Sequence, residues 1–303
     1  MDHTRDLIGY GGAYPHPHWP GDAQLAVNFV INFEEGSEPS WGDGDGYSEN
    51  GLTEISGRKP LAGVRDLAAE GMFAYGARAG FWRLKEIFDS RGIPFTLFAC
   101  AQALERNQAA AEAVKESDAD ICCHGWRWIQ PSVLTREEER QHIRQAVDSL
   151  ARTMGERPAG WYCRYGPSVH TRELLVEEGG FFYDSDAYDD DLPYWVNVGG
   201  TSHLVVPYTL VNNDMKYING TFATSHDYFS FHKDAVDVLC REGERSPKMM
   251  SVGLHMRVIG HPSRSGGLER LLDYIAANKR VWIAKRIDIA RHWAKTHPDP
   301  GSS

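Results

Sequence analysis

At 303 residues with an ordinary globular share of apolar side chains, the chain suffices for one α/β barrel or two smaller domains. Its net charge of −10, opposed by no basic stretch, argues against nucleic acid and anionic membrane surfaces as partners. The start of the chain has no apolar signal core, and no run approaches a membrane span. Cys100, Cys122, Cys123, Cys163 and Cys240 are odd in number and lack zinc-ribbon spacing, so they read as reduced core thiols of a cytoplasmic protein.

Residues 1–23 are rich in Gly, Pro, His and Trp. Each Pro biases its predecessor away from helix, so the stretch reads as an ordered, extended arm. Residues 25–33 follow, apolar except for Asn28 and Asn32 and rich in β-branched and aromatic side chains. That is the pattern of a strand buried on both faces, and it ends in Glu34, Glu35 and Gly36. The Gly/Asp/Ser-rich segment 38–50 is a candidate active-site loop.

An alternation then sets in. Helical patterns over 75–90, 109–116, 135–154, 171–178, 227–241, 268–278 and 288–295 alternate with strand patterns over 95–101, 119–124, 160–164, 181–186, 202–210, 248–255 and 281–285. Thr135 and Glu138 form a capping box for the longest helix, and Gly155 ends it. With no linker-like stretch, this alternation predicts one domain over 1–303, an α/β fold with a distorted (β/α) barrel of about seven strands.

Parallel strands share one carboxyl-terminal face, where such folds keep their sites. The strand ends there carry Glu34 and Glu35, then His124, Arg164, Asp184 with Asp186, and His255 with Arg257. Two adjacent acids at a buried mouth raise one another's pKa unless a cation offsets them; on a solvated loop they are only surface acids. The recurrence of ionisable groups at equivalent positions favours an active site.

These residues resemble the polysaccharide deacetylase superfamily. Asn32-Phe33-Glu34-Glu35-Gly36 matches its Thr-Phe-Asp-Asp-Gly motif, which implies a general base at Glu34 and a metal ligand at Glu35. His124-Gly125-Trp126-Arg127-Trp128 matches His-x-x-x-His, with Trp128 in place of the second His. Arg164-Tyr165-Gly166-Pro167 and Leu254-His255 match the later motifs. Within the superfamily the chain is similar to the cofactor-independent allantoinase branch and its cyclic-imide-hydrolysing relatives. The shared strings include Pro15 to Asp22, Tyr183-Asp184-Ser185-Asp186, Asp189 to Trp195, and Ile289 to Trp293. The branch implies a homo-oligomer, a tetramer.

A catalytic zinc needs about three protein ligands and an open position. Indole has no lone pair for a metal, so Glu35 and His124 remain as vestigial ligand positions unless His255 or Asp184 supplies a third. The expectation is therefore no cofactor, with Zn2+ as the alternative. Without a Lewis acid the reachable substrates are small cyclic amides, whose leaving nitrogen is stabilised by a second carbonyl. The expected reaction is ring opening, allantoin to allantoate first, with cyclic imides next. Glu34 serves as base, His255 as acid, and Arg164, Arg257 or the backbone N–H groups after Glu35 as oxyanion donors. His124, Glu35, Asp184, Trp126 and Trp128 are assigned to substrate binding. The competing readings are a metal-dependent N-deacetylase of chitooligosaccharide or peptidoglycan-type substrates and an inactive ligand-binding barrel.

Overall fold

The computed structural model describes residues 5–299 and 301. Its organising strand is β1 (Leu25–Phe33), buried along its whole length. The other strands are β2 (Thr96–Ala99), β3 (Asp120–Cys123), β4 (Gly160–Trp161), β5 (Tyr183–Asp184), β6 (Tyr194–Val198), β7 (Thr201–Val205), β8 (Lys248–His255) and β9 (Val281–Ile283). They form one sheet in the order β6-β7-β5-β4-β3-β2-β1-β8, with β9 also paired to β1. All pairings are parallel except the β6–β7 hairpin. β1 carries two partners on one edge: β9 alongside Leu25 to Val27, and β2 alongside Val30 to Phe33. The sheet curls into a partial barrel. Across the open seam, the backbone ties to β8 among the described residues include one bridge, Asn213 to Gly253, and a bond from Met249 N to the Asp191 carbonyl.

The nine strands among the described residues exceed the expected barrel of about seven: the eight strand patterns of the sequence are all present, and the stretch 189–198 adds β6, whose half-exposed side chains carry no buried-strand pattern. The strand expected over 202–210 stops at Val205, since Pro207 has no N–H for the ladder. The helix expected from 75 begins earlier, as α1 (Leu67–Tyr75), capped by Asp66, whose carboxylate accepts from Ala68 N and Ala69 N. It runs through a widened turn (Gly76–Gly80) into α2 (Phe81–Asp89). Gly71, Gly76 and Gly80 hide this helix from propensity, and two of them are required by packing. A Cβ at Gly76 would overlap the Glu35 carboxylate, and one at Gly80 the Met256 carbonyl. The remaining helices are α3 (Ala101–Arg106), α4 (Gln108–Lys115), α5 (Arg136–Met154), α6 (Thr171–Glu178), α7 (Ser225–Glu242), α8 (Pro262–Ala276) and α9 (Arg286–Thr296). The capping box at Thr135 and Glu138 is present.

Side chains alternate across each strand with a period of two, and this separates two cores. Leu25, Val27, Phe29, Ile31 and Phe33 face the helices, with Leu97, Cys123, Trp161, Val252 and Leu254. Ala26 and Val30 face the barrel interior, with Phe98, Cys122, Tyr162, Leu204 and Tyr208. The arm packs on its own chain: Trp19 is buried, donates Nε1–H to the Lys248 carbonyl at 3.0 Å and lies against Trp282, His292 and Trp293. Among the described residues, no helix is long and apolar enough to cross a membrane, and all five cysteines are free and buried.

Candidate active site

Period-two alternation sends the two adjacent glutamates opposite ways. Glu34 continues the inward series of Val30 and Asn32 and lines a cleft at the barrel mouth, together with His124, Trp128, Tyr162, Arg164, Tyr208 and His255. Glu35 turns outward beneath the Gly76 turn. Its Oε1 accepts from Arg257 N at 3.2 Å and Arg257 Nη1 at 3.1 Å, and its Oε2 from Glu34 N at 3.2 Å.

Glu34 is buried beside one guanidinium and two imidazoles. Its Oε1 lies 3.3 Å from His124 Nε2 and 3.6 Å from His255 Nε2, and its Oε2 lies 2.8 Å from Arg257 Nη1. Burial alone would push its pKa up, but Arg257, His255 and His124 outweigh burial and hold it well below the usual carboxylate range. Glu35 shows the opposite balance. Burial and the Glu34 charge outweigh Arg257 and push it up to about 7. One guanidinium serves two carboxylates and fully neutralises only one.

The two histidines are fixed by their far nitrogens. His124 Nδ1 lies 3.0 Å from the Tyr162 carbonyl, to which it can only donate, and its ring stacks on Tyr162. Nε2 is thereby aimed at Glu34. His255 Nδ1 lies 2.6 Å from Asp214 Oδ1, and Asp214 Oδ2 accepts from His255 N at 2.7 Å and Ile259 N at 3.1 Å. Burial disfavours the His255 cation, but Asp214 and Glu34 outweigh it and raise its pKa. Sequence reasoning does not reach Asp214, which sits in a short turn of 3-10 helix (Asp214–Tyr217) with no periodic signal. Nor does it reach Tyr162 and Tyr208, although Tyr162 stands two residues before Arg164 and so shares its face.

Four expected site residues do not line the cleft. Arg257 grips both carboxylates from behind, with Nε on the Leu52 carbonyl and its plane over Phe73 and Trp128. Asp184 faces outward to α6, bonded to Arg172 Nε at 2.7 Å with His203 Nε2 at 2.9 Å, while its neighbour Ser185 points into the barrel. Trp126 packs against the outer core and donates its backbone N–H to His142 Nε2. Glu35 is the fourth. The expected backbone oxyanion donors are already spent: Gly36 N donates to Glu38 Oε2 and Ser37 N to the Glu34 carbonyl. Glu34, His124, Trp128, Arg164 and His255 do converge.

A family model described as polysaccharide deacetylase matches residues 70–181. A Schizosaccharomyces pombe protein, provisionally named a polysaccharide deacetylase, is 38% identical over 319 residues, covering 98% of this chain and 99% of its own. The chain belongs to the polysaccharide deacetylase family. A solved structure described as PuuE allantoinase matches with a TM-score of 0.95 at 47% identity, covering 99% of this chain and 100% of that one. A Pseudomonas aeruginosa PAO1 structure described as a probable polysaccharide deacetylase gives the same TM-score and identity over 98% and 100%.

The divalent metal that the deacetylase resemblance implies would draw on Glu35, His124 and position 128. Here Glu35 is turned away onto Arg257 and position 128 is an indole, and among the described residues no group of three His, Cys, Asp or Glu side chains is placed to hold a metal ion. The Arg257 guanidinium already stands between the two carboxylates, 2.8 Å from one and 3.1 Å from the other. This donor set does not fit the metal.

Proposed function

We propose that this deacetylase-family chain is a metal-independent hydrolase that opens a small cyclic amide ring, with allantoin to allantoate as the leading reaction. Glu34 carries the reading: an inward carboxylate kept ionised by a fixed guanidinium, with two imidazoles at its Oε1, in a cleft at the barrel mouth. The solved allantoinase at 47% identity supports the substrate class. The buried, free cysteines support a cytoplasmic setting for such a metabolite.

In this mechanism Glu34 accepts a proton from water as the water oxygen bonds to a ring carbonyl carbon. The C–N bond then breaks, and His255 donates a proton to the departing nitrogen. Glu34's proton returns to His255 to close the cycle, so one water is consumed and one carboxylic acid forms. A carboxylate with so low a pKa is a weak base, which suits it to an activated ring and not to an ordinary amide. Asp214 holds His255 in its proton-donating form, and the Tyr162 carbonyl fixes the His124 ring against the substrate.

A second reading, N-deacetylation of sugars, is favoured by the names of the S. pombe and P. aeruginosa relatives. A substrate panel separates the two. Turnover of allantoin, hydantoin or succinimide without turnover of acetylated glucosamine oligomers is expected; the reverse pattern would discard ring opening.

A further inference from the structure

Among the described residues that line the cleft, two carry a buried side-chain atom with no hydrogen-bond partner: Glu34 Oε2 and Arg164 Nε. Glu34 Oε2 has the Arg257 charge beside it. Arg164 Nε has no role in the ring-opening steps. The guanidinium sits 3.7 Å over the Trp128 ring, and its Nη1 donates to Glu49 Oε2 at 2.8 Å and the Trp128 carbonyl at 3.0 Å. These contacts fix its plane, with Nε–H buried and unpartnered on a residue that lines the cleft. A buried donor without an acceptor costs about 1–3 kcal/mol, and such a group calls for an explanation.

Strand order says where that donor stands. Running along the sheet, the cleft residues come from β8 (His255), β1 (Glu34), β3 (just before His124) and β4 (just before Arg164). Arg164 and His255 therefore bracket the base from opposite flanks, and a ring held at Glu34 lies between them. In a ring containing –CO–NH–CO–, one carbonyl is attacked. As its C–N bond breaks, the electron pair on nitrogen spreads onto the oxygen of the other carbonyl. That oxygen is an acceptor in the ground state and gathers charge in the transition state.

We infer that Arg164 is the specificity-determining residue of the cleft, its free Nε–H taking the second carbonyl of a –CO–NH–CO– ring and holding the charge that develops there. The inference rests on the ring-opening reading and narrows it to rings with two carbonyls flanking the scissile nitrogen. Glu49 serves Arg164 only as an anchor, from the segment that covers the cleft.

The test compares succinimide with 2-pyrrolidinone, a ring of equal size with one carbonyl, as initial-rate competitors of allantoin hydrolysis. Wild type should bind succinimide at least about tenfold tighter, the discrimination expected from one hydrogen bond to a charged donor. Arg164→Gln should bring that ratio close to one and lower kcat on allantoin by more than it raises KM. Arg164→Lys, which keeps the charge but not the Nε edge, should lose the ratio as well and guards against a Gln variant that fails to fold. Glu49→Gln should keep the preference. An unchanged ratio in both Arg164 variants, with wild type still hydrolysing allantoin, overturns the assignment and leaves ring opening intact. Absence of turnover on every cyclic amide removes both.

Discussion

Arg257 and Arg286 are both buried, one at the mouth of the barrel and one at its floor, and they are held in opposite ways. Arg257 faces two carboxylates. Arg286, entirely shielded from solvent, has only neutral acceptors: Ser185 Oγ at 2.6 Å, Ser251 Oγ at 2.8 Å, Asn28 Oδ1 at 3.4 Å and the carbonyls of Val206 and Pro207. Those partners belong to β1, β8, the residue after β5 and the chain just after β7, so Arg286 ties the walls on either side of the open seam. At the floor the guanidinium is hydrogen-bonded only to neutral groups, with the Asp120 carboxylate near but not bonded to it. At the mouth the guanidinium touches both carboxylates and holds Glu34 ionised.

The comparison breaks most visibly through the base itself. Glu34→Gln keeps the shape of the mouth and removes the proton acceptor, so kcat on allantoin should fall by about 10²–10⁴-fold with the fold intact by circular dichroism. Near-normal turnover would take Glu34 out of the chemistry.

Next come the two arginines. Arg286→Met strands five acceptors, and Arg257→Met strands two carboxylates; each should cost about 3–5 kcal/mol in denaturant unfolding at pH 7. The pH dependence separates them. Without Arg257 the buried carboxylates can shed their penalty by protonation, so that variant should recover toward wild type as pH falls from 8 to about 5. The Arg286→Met deficit should change less over the same range, since its stranded acceptors do not titrate and only the neighbouring Asp120, pushed up to about 6 by burial, does. Parallel behaviour of the two variants would erase the distinction between mouth and floor.

Glu35 sharpens the same contrast. Its folded pKa is raised, from 4.5 to about 7, so the native state holds a proton that the unfolded chain releases over that interval. Its contribution is fully present below 4.5 and is lost as pH rises toward 7. Relative to Glu35→Gln, wild type should lose up to about 3 kcal/mol of unfolding free energy across that window, as read from urea midpoints at successive pH values. Glu34, depressed instead, contributes stability that is fully present above 4.5 and is lost progressively as pH falls below it.

The smallest effect concerns Asp214. Removing its charge with Asp214→Asn takes away the leading support for protonated His255, so the alkaline limb of kcat/KM should move to lower pH, with about a tenfold loss at its former plateau edge. A limb that does not move would reassign the proton donor.

Much of this site is legible in the amino-acid sequence. Glu34, His124 and His255 fall at strand ends, where parity brings their side chains inward, and Arg164, three residues past β4, joins them in the one cleft. Parity also explains the failures. Asp184 and Glu35 sit at strand ends too, but one residue out of phase, and a sequence shows the strand without showing which face closes on the barrel. Arg257 lies past its strand, where period two no longer governs, so a guanidinium expected in the cleft stands behind it. Asp214 and Glu49 lie in irregular segments whose position depends on the covering of the mouth. Arg286, at the start of α9, carries nothing that separates it from a surface arginine until the barrel is assembled around it.

The central claim is that an arginine, and not a divalent metal, sustains Glu34 in cleaving a small cyclic amide. It is tested most directly by allantoin turnover of protein stripped with chelator and verified metal-poor by elemental analysis. The account predicts a rate equal to that of untreated protein and unchanged by added zinc. Loss of turnover on stripping, restored in proportion to zinc bound, would contradict it.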